Sequence, residues 1–89
     1  MYNVLLTKRA QKEYEEIAPA HLAKIDAALD RLKTEPRPHG VKKLYGNIHR
    51  IRVGDWRVIY AIFDKDQVVL AGKIVRRSKD TYDAVKELF

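Results

Sequence analysis

The chain has no cysteine in its 89 residues. That excludes a disulfide framework and thiolate chemistry, and it fits a reducing cytoplasm. Only four glycines are present, and they form neither a G-x-G-x-x-G nor a Walker pattern. Ser78 is the only serine, so no nucleophilic triad is in prospect. His21, His39 and His49 lack metal-ligand spacing. No metal and no cofactor are therefore expected. No apolar run approaches the length of a membrane span, and the opening MYNVLLTKRA lacks the basic start and long apolar stretch of a signal peptide. What is present, 46% apolar and 34% charged residues, suits one soluble domain over 1–89 with a modest core.

Charge is unevenly placed. Residues 1–36 carry six basic and six acidic side chains, whereas residues 37–89 carry twelve and six. The whole net charge of +6 therefore lies in the second part. Such an asymmetry points to a polyanionic partner, with a well-solvated surface as the alternative.

Hydrophobic spacing gives an outline of the fold. Tyr2–Leu6 reads as a strand. Thr7 offers a cap to a helix in KRAQKEYEEIA, where Ala10, Tyr14 and Ile17 share a face. Pro19 suits the first turn of a second helix, with Leu22, Ile25, Leu29 and Leu32 as its core stripe. Glu35–Gly40 holds two prolines and a glycine and reads as a loop, from which VKKLYGN leads toward a sheet. His49–Val53, Trp56–Phe63 and Gln67–Val75 read as strands, and Lys79–Phe89 as a short helix capped by Ser78 or Asp80. The expected class is α+β, in the order β-α-α-β-β-β-α, with an N-terminal strand and a helical hairpin on a mainly antiparallel sheet.

The stretch HRIRVGDWRVIY carries the functional signal. A two-residue Gly54-Asp55 turn fixes the register and opposes Val53 to Trp56, Arg52 to Arg57 and Ile51 to Val58. Alternation then gives a core face of Ile51, Val53, Trp56, Val58 and Tyr60, and an opposite face of Arg50, Arg52, Arg57 and Ile59. Directly opposed arginines destabilise a hairpin, and arginine is the residue suited to bidentate phosphate contact. The face therefore reads as an anion site; the alternative is a solvated face on which the arginines splay apart. KIVRRSKDTYDA adds Lys73, Arg76, Arg77 and Lys79, followed by Tyr82, which could stack on a nucleobase or pack against the sheet.

These residues resemble the RelE/ParE toxin superfamily of toxin–antitoxin modules. HRIRVGDWRVIYAI is similar to the family's aromatic-Arg-Ile-Arg-Val-Gly-Asp-aromatic-Arg-Val-Ile-Tyr signature. KKLYGNIHR resembles its Lys-Leu-x-Gly lead, and RRSKDTYDAV its arginine-rich run ending in tyrosine. The resemblance implies a ribosome-dependent endoribonuclease in which a ribose 2′-hydroxyl attacks the adjacent phosphate of translated messenger RNA. It sets Arg50 and Arg52 at the family's two basic strand positions, one of which is its base. Arg57 takes the place of its phosphate-stabilising arginine, Arg76 that of its acid and Tyr82 that of its base-stacking tyrosine. Arg77 could substitute for Arg76. Lys42, Lys43, Lys73, Arg77 and Lys79 are the further cations expected at phosphate. Arginine in place of lysine departs from the best-studied pattern, because arginine stays protonated and is a poor base. His49 has a suitable pKa but should lie on the other face. The implied partners are a cognate antitoxin, the ribosome and its messenger RNA, in the cytoplasm and away from membranes. The alternative is a ParE-like toxin that inhibits DNA gyrase without nuclease activity.

Overall fold

A computed structural model describes residues 1–76. Its elements are β1 (Asn3–Leu6), α1 (Lys8–Glu15), α2 (Pro19–Leu32), β2 (Lys42–Tyr45), β3 (Ile48–Val53), β4 (Trp56–Phe63) and β5 (Val68–Arg76). The expected terminal helix, with Arg77, Lys79 and Tyr82, lies outside the described residues.

The helices begin for local reasons. Thr7 sits in extended backbone, and its Oγ1 accepts a hydrogen bond from Ala10 N at 3.1 Å, capping α1. Pro19 occupies the first turn of α2, where its missing N–H leaves no helical bond unmade. Gly54 turns the β3–β4 hairpin with φ +61°, while Asp55 keeps a negative φ. That combination belongs to a two-residue turn with glycine first, whose twist matches the strands.

The sheet order is β1-β5-β4-β3-β2. β1 runs parallel to β5, and the other pairs are antiparallel. Both helices cover one face. Ala10, Ile17, Ile25 and Leu32 bury themselves there against Ile51, Val58, Tyr60, Ile62, Val69, Ala71 and Ile74. Ile25 and Leu32 are fully buried, and burial of each contributes about 2 kcal/mol. Tyr60 is fully buried too, and its hydroxyl donates to the Pro36 carbonyl at 2.7 Å, fixing the loop after α2 to the sheet. A second cluster of Ile48, Ile59, Ala61 and Leu44 lies on the opposite face.

The α+β class and the hairpin register are as expected, pair for pair. One element was not anticipated. The lead-in KKLY forms β2 and flanks β3, so β3 is an inner strand and His49 is buried rather than at an edge. Two lysines and a register shift between Lys43 and Tyr45 obscure the alternation that would have marked a strand.

Candidate functional site

The register builds a cationic field on the sheet face away from the helices. Residues paired across strands share a face, so the pairing can be read in rows. One row runs Lys73, Ile59, Arg50, Lys42 across β5, β4, β3 and β2. The next row, nearer the hairpin turn, is Val75, Arg57, Arg52. Five cations thus occupy two adjacent rows with no acidic residue among them. The row on the other side, Leu5, Leu70, Ala61, Ile48, Tyr45, is apolar or aromatic throughout.

Two β-bulges decide which basic residues join this field. In β5 the register shifts opposite Ile59 and Tyr60, where Gly72 is the extra residue. Before the shift the odd-numbered Val69 and Ala71 face the helices; after it the even-numbered Ile74 does. The shift therefore turns Lys73 toward the arginines. It also turns Arg76, paired with Trp56, toward the helices. Glu13 secures the irregularity from α1, where its Oε1 accepts a hydrogen bond from Ile74 N at 3.0 Å. In β2, Lys42 pairs with Arg50 and joins the field, whereas Lys43 pairs with His49 and does not.

The arginines differ in setting. Arg52 is exposed, and Arg57, directly opposite, is only 6% exposed. Arg50 is half-buried between them and the apolar row. A buried, fixed guanidinium presents its charge in lower dielectric, where it acts more strongly on a phosphate than an exposed one would. His49 lies on the helix side, stacked on Tyr60 with ring centroids 6.0 Å apart, and its Nδ1 is 3.0 Å from the Asn47 carbonyl. Burial pushes its pKa below the ordinary 6.5. This titratable group therefore stands behind the sheet from the cationic field.

Arg76 is at the same end of the sheet as Arg57 but on the other face. Its guanidinium carbon lies 5.3 Å from the centroid of the Trp56 ring, and its Nη2 lies 3.2 Å from His21 Nε2. The His21 and Trp56 rings are 5.8 Å apart and tilted by 51°. This cluster has no sign in the sequence, because His21 stands 35 residues before Trp56. The spacing of the chain carries no signal for it. Among the described residues no group of three or more His, Asp and Glu could hold a metal ion, and no helix is long and apolar enough to cross a membrane.

Comparison with known proteins gives a consistent picture. The family model described as the ParE toxin of type II toxin–antitoxin systems, parDE, matches residues 4–81. RelE1 of Methanocaldococcus jannaschii is 33% identical over 81 residues, which cover 85% of this chain and 90% of that protein. In a crystal structure of the archaeal RelE–RelB complex from Pyrococcus horikoshii OT3, the similar chain is 33% identical with a TM-score of 0.79, covering 88% of this chain and 97% of that one. The isolated E. coli RelE toxin shares the fold at a TM-score of 0.77 and 21% identity, over the whole of both chains.

Proposed function

The chain belongs to the ParE/RelE family of type II toxin–antitoxin toxins, and from that premise we propose that it is a ribosome-dependent endoribonuclease that cuts translated messenger RNA. The observation that carries this reading is the two-row cationic field of Lys42, Arg50, Arg52, Arg57 and Lys73. The field extends over β2 to β5 and so offers cationic partners to several phosphates of one strand.

In this reading the ribose 2′-oxygen attacks the adjacent phosphorus as its proton passes to solvent, and the bond to the 5′-oxygen breaks as that oxygen takes up a proton, leaving a 2′,3′-cyclic phosphate and a 5′-hydroxyl. Charge accumulates on the non-bridging oxygens in the transition state. Arg52 and Arg57 stabilise it, with Arg57 held in place by burial. Arg50, Lys42 and Lys73 bind flanking phosphates. Arg76 serves the leaving oxygen, and Tyr82 stacks on the substrate base. Arg77 and Lys79 add phosphate contacts. An arginine-based site gains its rate chiefly from charge and positioning rather than from a strong base. We further propose that a cognate antitoxin neutralises the chain. The similar archaeal RelE was crystallised with RelB, and the arginine face offers an acidic segment a complementary surface.

The test is primer extension on a translated reporter messenger after induction of the chain, beside an Arg52→Ala variant of equal abundance. Cuts within translated codons that disappear in the variant are the expected result. Growth arrest with intact messenger would redirect the reading to gyrase inhibition. Intact messenger with normal growth would leave a chain that only binds its antitoxin.

A further inference from the structure

We propose that His21 and Trp56 are positioning residues for Arg76: together they seat its guanidinium on the helix side of the sheet and hold it off the cationic face. The inference rests on the nuclease reading for the role of Arg76, but the seat itself stands on geometry alone. Three contacts close on one another. Arg76 lies over the Trp56 ring, it approaches His21 Nε2, and His21 leans on the same indole. The bulge at Gly72 turns Arg76 to this side, and α1 fixes the bulge through Glu13. The arrangement is therefore specified by four elements, α1, α2, β4 and β5, and not by one free side chain.

The seat opposes the proposed reaction. Arg76 shares an end of the sheet with Arg52 and Arg57, yet its side chain is directed away from the face they occupy. Arg76 is exposed, and its guanidinium is held by a cation–π contact and by a hydrogen bond to one acceptor nitrogen. Both are weak enough for a substrate phosphate to displace.

A guanidinium only donates, so His21 Nε2 is the acceptor in this contact. Glu13 of α1 and Glu16, the residue that follows that helix, line a cleft with Trp56, Ile74, Val75 and Arg76. β5 contributes Arg76, and β4 presents the Trp56 ring.

The test reads the seat and the reaction separately. Trp56 is the chain's only tryptophan, so its emission reports the seat whether or not RNA is cut. The emission of the full chain is compared with that of Arg76→Ala, and that of His21→Leu with His21→Leu/Arg76→Ala. Removing Arg76 is expected to shift the emission in the parent background and to shift it less in the His21→Leu background, where the seat has lost its acceptor. Cleavage is measured on programmed ribosomes. There kcat/KM of His21→Leu should exceed the parent by about fivefold, the size of one lost cation–π or hydrogen-bond contact. Trp56→Leu should behave as His21→Leu does, whereas His21→Gln, whose amide keeps an acceptor, should stay at the parent value. An Arg76→Ala shift that is absent from the parent, or of equal size in both backgrounds, overturns the seat. A smaller shift in the His21→Leu background with a kcat/KM ratio of one overturns the positioning role. A parent that cuts nothing on ribosomes overturns the nuclease reading and the positioning role with it, and the emission comparison then decides the seat by itself.

Discussion

Arg52 and Arg57 face each other across the hairpin, an arrangement that destabilises a sheet by up to about 1 kcal/mol. Nothing in the packing requires it, because Arg52 is exposed and an acid would fit there. Arg52→Glu should therefore raise stability by about 0.5 kcal/mol, read as an increase in the urea midpoint. The same change places a negative charge beside the transition-state phosphate. It should lower cleavage by about 100-fold or more, the usual effect of losing one preorganised stabilising group. A variant that loses stability, or that gains it and still cuts at the parent rate, would contradict the reading of this pair. His49 supplies a second prediction at this scale. Burial holds its folded pKa below 6.5, so as pH falls the unfolded chain takes up the proton first. Its contribution to stability is complete above pH 6.5 and is lost as pH falls through the lower folded value. The urea midpoint should drop between about pH 7.5 and 5, and drop less in His49→Phe, which keeps the stack on Tyr60.

At the scale of elements, β4 carries both faces of the argument. Its even-numbered residues from Trp56 to Ile62 fill the core with the helices, and its odd-numbered residues from Arg57 to Ala61 build the opposite face. Tyr60 couples this strand to the loop after α2 through the Pro36 carbonyl. Tyr60→Phe should cost about 1–2 kcal/mol by leaving that carbonyl without its donor. Hydrogen exchange should quicken around residues 36–41, while cleavage per folded molecule stays unchanged. The hairpin was legible in the sequence because its turn has only two residues, so the register admits one solution and alternation assigns every side chain. The Thr7 cap and the Pro19 start were legible for the same reason, since each acts within a few residues. Alternation fails at a bulge. Gly72 inside AGKIVRR is a residue type that often marks a bulge, but alternation alone does not fix where the phase shifts, so the sequence gathers Lys73 and Arg76 on one strand without separating them onto two faces. β2 was hidden likewise, by a bulge and by lysines in a four-residue strand. The parallel pairing of β1 with β5 joins residues more than 60 positions apart and has no local sign at all.

For the molecule as a whole, the net charge of +6 all falls in residues 37–89, and the fold converts that bias along the chain into a bias between faces. Residues 37–76 supply β2 to β5, and five of their cations converge on the face opposite the helices. If this face tracks an RNA backbone, affinity must depend on salt through the counterions that the phosphates release. With five contacts to a single strand, the slope of log K against log salt should be about −3.5. A surface whose charges serve only solvation would give a slope near zero. Lys42 and Lys73 sit at the two ends of one row, are not buried, and are proposed to bind phosphate without taking part in the chemistry. The double variant Lys42→Ala/Lys73→Ala should therefore lower the slope by about 1.4 and weaken binding to all RNA sequences alike. Removing Lys24 and Lys65, which lie on α2 and in the β4–β5 turn, lowers the net charge by the same amount and should leave the slope unchanged. Measured on one short single-stranded RNA by fluorescence anisotropy, the pair of double variants separates the two accounts. Equal slopes in both would mean that total charge alone draws the RNA. A fall confined to the Lys42 and Lys73 variant would mean that the strand pairing had built the binding face.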